Sequence, residues 1–413
     1  MPENSLTSYY RYYIYSIISL ILIFDRKSGS SMKKNGNPSG RLIKCSEGYK
    51  AFIPNPLPPE LKWSMKLTRV LSDADRLLGK LAGEGGRLPN PHLLMRPFLR
   101  REAVLSSRIE GTQATLGELL ASEAGAHVER SPNELREVGN YVAALEYGMK
   151  RLKTLPLSLR LIRELHKKLM KGVRGDHATP GEFRRSQNWI GSPGSTIINA
   201  TYVPPPPSEL MNCLANLEKF LHNKSLPPLV QAALVHYQFE AIHPFLDGNG
   251  RVGRLLVTLF FIERNILPTP LLYLSAFFEA TRNDYYDLLL SVSKQGKWEI
   301  WLEYFLNGIA RQSEDALSRS ERINKILTDW RSLIAGSSTK TPINLIDLIA
   351  ANPFLTIKKS ASTLNIAFTT AQRGIEKLEK LKILEKVSPA KRDRVYCAKS
   401  ILDILEEPAI LTV

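Results

Sequence analysis

Twelve consecutive residues, His243-Pro244-Phe245-Leu246-Asp247-Gly248-Asn249-Gly250-Arg251-Val252-Gly253-Arg254, collect the side chains of a phosphate-handling centre. An imidazole titrates near working pH, so His243 is suited to take a proton from an incoming hydroxyl. Asp247 places a carboxylate just before the glycine turn, the kind of ligand that Mg²⁺ uses together with phosphate oxygens. Gly248 and Gly250 let the backbone bend with N–H groups inward. The helix that follows adds its positive N-terminal end, which completes an anion cradle. Arg251 and Arg254, three apart on that helix, can hold phosphate oxygens bidentately. A glycine turn that merely caps a helix needs no such set.

The elements around this stretch read as mainly helical, with few alternating, strand-like runs. Helices are expected at residues 60–81, 95–109 (Pro97 in its first turn), 131–152, 157–171, 208–222, 227–241, 253–264, 282–294 and 298–318. The start at Ser131-Pro132-Asn133-Glu134 has the form of a capping box. Residues 83–91 are rich in Gly and Pro and read as a break, residues 184–203 read as a β-hairpin, and residues 204–207 force an extended exit. The helix at 95–109 stops at Glu110-Gly111, where the glycine can adopt a left-handed cap. No internal repeat is visible.

The segment His243 to Arg254 resembles the signature of the Fic family, H-P-F-x-D/E-G-N-G-R-x-x-R, at every fixed position. The resemblance implies a nucleotidyltransferase that moves AMP from ATP to a Ser, Thr or Tyr hydroxyl of a target protein or of itself. His243 would be the general base and Asp247 the Mg²⁺ ligand. Gly248, Asn249, Gly250, Arg251, Val252, Gly253 and Arg254 would surround ATP, with Arg254 on the γ-phosphate, and Phe245 would anchor the core. Ser106-Ser107-Arg108-Ile109-Glu110-Gly111 resembles the family's inhibitory motif, S/T-x-x-x-E-G/N. By that likeness Ser106, Glu110 and Gly111 form a resting lock in which Glu110 occupies Arg254. The hairpin sits where the family places its target-docking flap, which makes Ile197 and Ile198 candidate contacts, and Pro180-Gly181-Glu182-Phe183-Arg184 before it is also family-like. Tyr285 stands where related proteins place a nucleotide-contacting tyrosine. His166, His177, His222 and His236 lack neighbours at metal-binding spacing and read as structural or surface groups, so no zinc is expected.

Composition sets the frame. At 413 residues, 43% hydrophobic and 23% charged, the chain is long enough for two or three domains and too apolar for disorder. Cys45, Cys213 and Cys397 are odd in number and far apart, which excludes a disulfide framework and suits a reducing cytoplasm. The apolar run at residues 12–24 is shorter than the roughly 20 residues needed to span a bilayer, so no membrane partner is expected. Met32-Lys33-Lys34 reads as a plausible cytoplasmic start, making residues 1–31 an expected mis-assigned extension within a variable region, 1–49.

The net charge of +16 is uneven: residues 340–399 carry twelve basic and five acidic side chains. Helices expected at 344–351, 357–364 and 369–381 precede strand-like pieces at 383–387 and 394–398, joined by a turn at 388–390 with the basic pair Lys391 and Arg392. This order resembles a winged helix-turn-helix. In the third helix Ile375, Leu378 and Leu381 would face inward and Arg373, Lys377 and Lys380 outward, offering DNA or a protein surface a basic face. The organisation expected is thus an N-terminal helical region with the inhibitory helix at 50–128, a catalytic domain at 129–335 and a winged domain at 336–413. Two other functions fit the same residues: removal of AMP from a modified protein, and a DNA-binding regulator with a nucleotide-sensing core. Self-association is compatible with the sequence, which fixes no oligomeric state.

Overall fold

The computed structural model describes residues 39–87, 91–173, 179–267, 269–336, 339–388 and 394–409. The apolar run at 12–24, the start at Met32, His177 and the turn residues 389–392 lie outside them. Among the described residues no helix is long and apolar enough to cross a membrane.

The chain is mainly helical, as its periodicity predicts, but it opens with an antiparallel pair that the sequence pattern did not reveal. Strands β1 (Gly40–Lys44) and β2 (Lys50–Pro54) pair with Gly40 opposite Pro54. Four successive residues of β2 are buried, so no two-residue alternation marks it. The first described helix, α1 (Met65–Arg87), starts later than expected and runs through Gly83 and Gly85, supported along its length by the long helix α11 (Trp298–Leu333). Packing here overrides the weak helix propensity of glycine.

Helix α2 (Pro91–Ile109) begins earlier than expected, which puts Pro97 inside the helix rather than in its first turn. It ends as the spacing predicts, with Gly111 left-handed at φ +99°. Helix α3 (Leu116–Glu123) is new. Its signal was Thr115-x-x-Glu118, a capping box in which Thr115 Oγ1 accepts from Glu118 N and the Glu118 carboxylate accepts from Thr115 N. Helix α4 (Pro132–Arg151) has proline in its first turn, yet the box expected at Ser131 is not formed. Glu134 accepts from Gln113 N instead, and the Ser131 side chain caps nothing.

Helices α5 (Leu159–Leu169), α6 (Pro207–Leu221), α7 (Pro228–Ile242) and α8 (Asn249–Glu263) build the centre of the bundle. Nearly every residue of α7 is buried, because α6, α8, β2 and the long helix α11 pack around it. Helix α8 starts four residues before the predicted position, inside the glycine turn itself. Helices α9 (Ser275–Ala280), α10 (Arg282–Gln295) and α11 (Trp298–Leu333) complete the bundle, α11 running well past the expected end at residue 318.

Beyond α11 the chain forms α12 (Thr341–Ala351), β3 (Phe354–Thr356), α13 (Ile357–Leu364), α14 (Phe368–Lys380), β4 (Glu385–Lys386), β5 (Val395–Cys397) and α15 (Lys399–Glu406). The three strands are antiparallel in the order β3-β5-β4. On α14, Ala371, Ile375 and Leu378 are buried while Arg373, Lys377 and Lys380 face solvent. Leu381, expected inward, is exposed, since the helix has ended and Lys382 turns the chain at φ +58°. This module grips the bundle: Asn352 Nδ2 donates to Leu120 O at 2.9 Å and Thr356 Oγ1 to Ala124 O at 2.8 Å. Buried Arg319 on α11 pairs with Asp315 and also donates to the carbonyls of Ile404, Glu407 and Pro408.

Candidate active site

The site lies where α7 hands over to α8. Helix α7 ends because His243 turns left-handed (φ 48°, ψ 62°), an unusual conformation for a side chain with Cβ and one that costs about 1–2 kcal/mol. Gly248 adopts the same region at φ 77°, where glycine is free of that cost, and α8 starts at once. The first amides of α8 lack acceptors within the helix and point out of its N-terminus. The anion cradle expected from the glycine spacing is therefore a helix start.

The turn is held from behind. Arg184 donates through Nε to His243 O at 2.9 Å and through its backbone N–H to Pro244 O at 2.9 Å. Asn188 Nδ2 donates to Phe245 O at 2.8 Å. Neither side chain carried a predicted role, although the family-like segment ending at Arg184 was the signal that could have found the first. Phe245 is fully buried, as an anchor should be.

His243 Nδ1 lies 3.3 Å from Glu240 O, an acceptor only, so Nδ1 carries the proton and Nε2 is left with the lone pair a base needs. Burial, reinforced by the Arg184 charge, pushes its pKa down to about 4, although Glu240 O, Glu110 and Asp247 favour the charged form. The ring is thus neutral at pH 7. Glu240 is a carboxyl the sequence reading passed over. Burial raises its pKa to about 8 against the pull of Arg254, which keeps it protonated at neutral pH. It packs so close to Gly253 that a methyl group there would collide with it.

Asp247 is half exposed at the rim, 3.7 Å from Arg251 Nη2. Among the described residues no cluster of three or more His, Cys, Asp or Glu could form a metal cage. A single rim carboxylate fits an ion that takes its remaining ligands from phosphate and water. Arg251 is buried beside Met170 and lies 4.0 Å from Glu137 Oε2.

Arg254, also buried, is engaged by the end of α2 and by Glu110 just past it. Its Nε donates to Ser106 Oγ at 2.8 Å, and its Nη2 to Ser106 O at 2.9 Å and to Glu110 Oε1 at 2.7 Å. Burial works against the Glu110 charge, but Arg254 outweighs it and holds the carboxyl below its ordinary pKa. The carboxylate also presses on the start of α8, where a methyl on Gly250 would strike it. An anion therefore already occupies the cradle beside Arg254, and it belongs to the chain. Gly111, just past Glu110, supplies the left-handed turn that ends the helix at this point.

Four of the residues expected around ATP are packed inward in the structure. The Asn249 side chain is buried and spent on Phe245, accepting from its N–H at 2.9 Å and donating to its C=O at 2.8 Å, so it braces the turn. Val252 and Gly253 lie on the inward face of α8, one in the core and one against Glu240. Tyr285 is buried with its hydroxyl 2.9 Å from His236 Nε2 and its ring stacked on Phe278. Its neighbour Tyr286, beside Arg282, is the exposed aromatic. The expected hairpin is reduced to one antiparallel bridge, Ile190 with Tyr202, because turns at 192–195 and 196–199 consume its middle. In it Ile198 is exposed, whereas Ile197 packs toward Tyr49, Ala51 and Val203. His166 and His236 are buried, and His222 is exposed.

Comparison with known proteins matches residues 68–150 to the family description "Fic/DOC family N-terminal" and residues 156–261 to "Fic/DOC family". A protein adenylyltransferase Fic of Drosophila virilis is 34% identical over 166 residues, covering 39% of this chain and 32% of the relative. The chain thus spans about a third of the length of that curated relative. Two solved structures share the fold. One, a Fic family protein of Desulfovibrio desulfuricans G20, is 22% identical with a TM-score of 0.56 and covers 83% of this chain and 98% of its own. The other, Fic-1 (residues 134–508) of C. elegans, is 24% identical with a TM-score of 0.50 and covers 62% and 74%.

Proposed function

The chain carries the N-terminal and Fic domains of the Fic/DOC family and belongs to it, and on that premise we propose that it is a protein adenylyltransferase held at rest by its own Glu110. The observation that carries this reading is the engagement of Arg254 by Glu110 and Ser106 at the mouth of the cradle. Once Glu110 leaves, the Arg254 guanidinium takes the γ-phosphate and the first amides of α8 take the inner phosphates. The α-phosphorus then faces His243.

In the reaction a target Ser, Thr or Tyr hydroxyl attacks the α-phosphorus in line. His243 Nε2 receives its proton as the P–O bond to pyrophosphate breaks. The products are a protein–AMP phosphodiester and pyrophosphate. Mg²⁺, held by Asp247 with the phosphate oxygens, would neutralise charge on the nucleotide. Positioning and charge complementarity supply most of the acceleration. Exposed Ile198, on the loop closed by the 190–202 bridge, is the candidate docking contact for the target segment, or for a segment of the chain itself.

The organisation proposed with this activity assigns inhibition to residues 50–128, catalysis to 129–335 and a winged helix-turn-helix to 336–413. The exposed Arg373, Lys377 and Lys380 on α14 favour duplex DNA as a second ligand. Binding should weaken steeply with salt, and no gel retardation of any duplex at low salt would remove that ligand.

Transfer to protein of label from α-³²P-ATP tests the main reading in the parent, Glu110→Gly, and Glu110→Gly with His243→Ala. Label should rise in the second and vanish in the third. Loss of AMP from a preformed adduct, requiring Glu110, would instead assign the site to AMP removal.

A further inference from the structure

We propose that His166 is a positioning residue of the nucleotide cradle, tying the root of the docking loop to the turn that presents Asp247. The inference rests on the adenylyltransferase reading for its kinetic consequences and on geometry for its existence.

His166 sits on α5 and is fully buried. Its Nδ1 is 2.8 Å from Gly181 N, and its Nε2 is 3.0 Å from Asp247 O. A backbone N–H can only donate and a backbone carbonyl can only accept, so both bonds require one tautomer: lone pair on Nδ1, proton on Nε2. The imidazole is a two-ended link between Gly181 and Asp247. Its ring lies flat on Phe245, with centroids 3.7 Å apart and planes 7° from parallel. A methyl on Gly248 would run into Met170 Sδ at 2.9 Å and stand 3.6 Å from the His166 ring, so the turn is seated tightly on α5.

The carbonyls of the turn show what this link accomplishes. Those of His243, Pro244, Phe245, Asp247 and Gly248 receive bonds from Arg184, the Arg184 backbone, Asn188 and Asn249, His166, and Val252. Each of these carbonyls is held from inside the protein, and two of the adjoining N–H groups are taken as well, Phe245 N by Asn249 Oδ1 and Gly248 N by Asp247 Oδ1, so the path of the turn is fixed. At Asp247 the donor is His166, and that peptide sets the direction of the rim carboxylate and of the Gly248 turn. The other end of the link holds Gly181, three residues before Arg184, whose carbonyl accepts from Arg163 Nε at 2.8 Å. One side chain thus fixes the cradle relative to the segment that leads into the docking loop.

The test uses the full chain with Glu110→Gly, alone and combined with His166→Phe or His166→Gln. Phenylalanine keeps the stack on Phe245 and removes both hydrogen bonds, while glutamine can accept at one end and donate at the other. Binding of Mg·ATP is measured by calorimetry, beside KM, kcat and Tm. His166→Phe should bind Mg·ATP roughly tenfold more weakly, with KM for ATP rising in parallel, and His166→Gln should recover most of the loss. Binding and KM within twofold of the parent in His166→Phe would overturn the proposal. So would failure of His166→Gln to restore binding while folded. If His166→Phe does not fold, His166→Asn replaces it, being too short to span both partners, and equal binding by the Asn and Gln variants overturns the proposal. Mg·ATP binding without AMP transfer when His166 is intact would sink the adenylyltransferase reading alone, leaving the binding comparison to judge His166. No binding of Mg·ATP with His166 intact would overturn both.

Discussion

If Glu110 competes with the γ-phosphate for Arg254, its removal must help ATP far more than ADP. Glu110→Gln keeps the shape of the side chain and removes its charge. The bond at stake is a charge-assisted contact of 2.7 Å to a guanidinium that is 2% exposed, from a carboxylate that is 34% exposed. Such bonds contribute about 1.5–3 kcal/mol when shielded. The exposure of the carboxylate places this one at the lower end, which corresponds to roughly tenfold in affinity. ADP lacks the phosphate that needs Arg254, so its affinity should change less than about threefold. Titration calorimetry of Mg·ATP and Mg·ADP on the parent and Glu110→Gln measures both. Equal gains for the two nucleotides, or none for ATP, would refute competition at Arg254 even if the variant were more active.

Three further outcomes follow from the packing. His166 and His243 have pKa values pushed down to about 4 and His236 to about 3, chiefly by burial, so the unfolded chain binds protons that the fold refuses. The stability they secure is complete above their ordinary pKa of 6.5 and declines as pH falls toward 4, by roughly 1.4 kcal/mol per pH unit for each ring; urea midpoints across that window check it. Arg319→Ala leaves buried Asp315 without its bidentate partner and should cost about 3–5 kcal/mol, read as a lowered urea midpoint, whereas a loss below 1 kcal/mol would contradict the role given to that pair. Asn352→Ala with Thr356→Val removes the two bonds from the C-terminal module to Leu120 O and Ala124 O, and should speed amide exchange in residues 116–124 while leaving α8 unchanged.

The turn at the candidate site is written locally and the architecture around it is not. The turn from His243 to Arg254 was legible because glycine, histidine, aspartate and arginine at those spacings have few other uses, and α13 was placed to the residue because a threonine cap and an asparagine terminus bracket it. Direction was harder to read. Nothing local says that Asn249 folds back on Phe245, or that Val252 and Gly253 face inward, until α7 is known to lie against α8. Tyr285 and Tyr286 are adjacent and chemically alike, and only the packing of α10 on His236 decides which is buried. Strands β1 and β2 were missed for a similar reason, since a pair buried by later parts of the chain lacks the alternation of a half-exposed ribbon. Helix α1 outlasts its glycines because α11, more than two hundred residues downstream, supports it.

The central claim is that the bond broken lies between the α- and β-phosphates of ATP, under His243. The most direct measurement gives the Glu110→Gly chain ATP labelled at either the α- or the γ-phosphate and counts label on protein after denaturing electrophoresis. The account predicts stable label from the α position and none from the γ position, which departs with pyrophosphate. Label from the γ position, or α label that persists when His243 is changed to Ala, would contradict it.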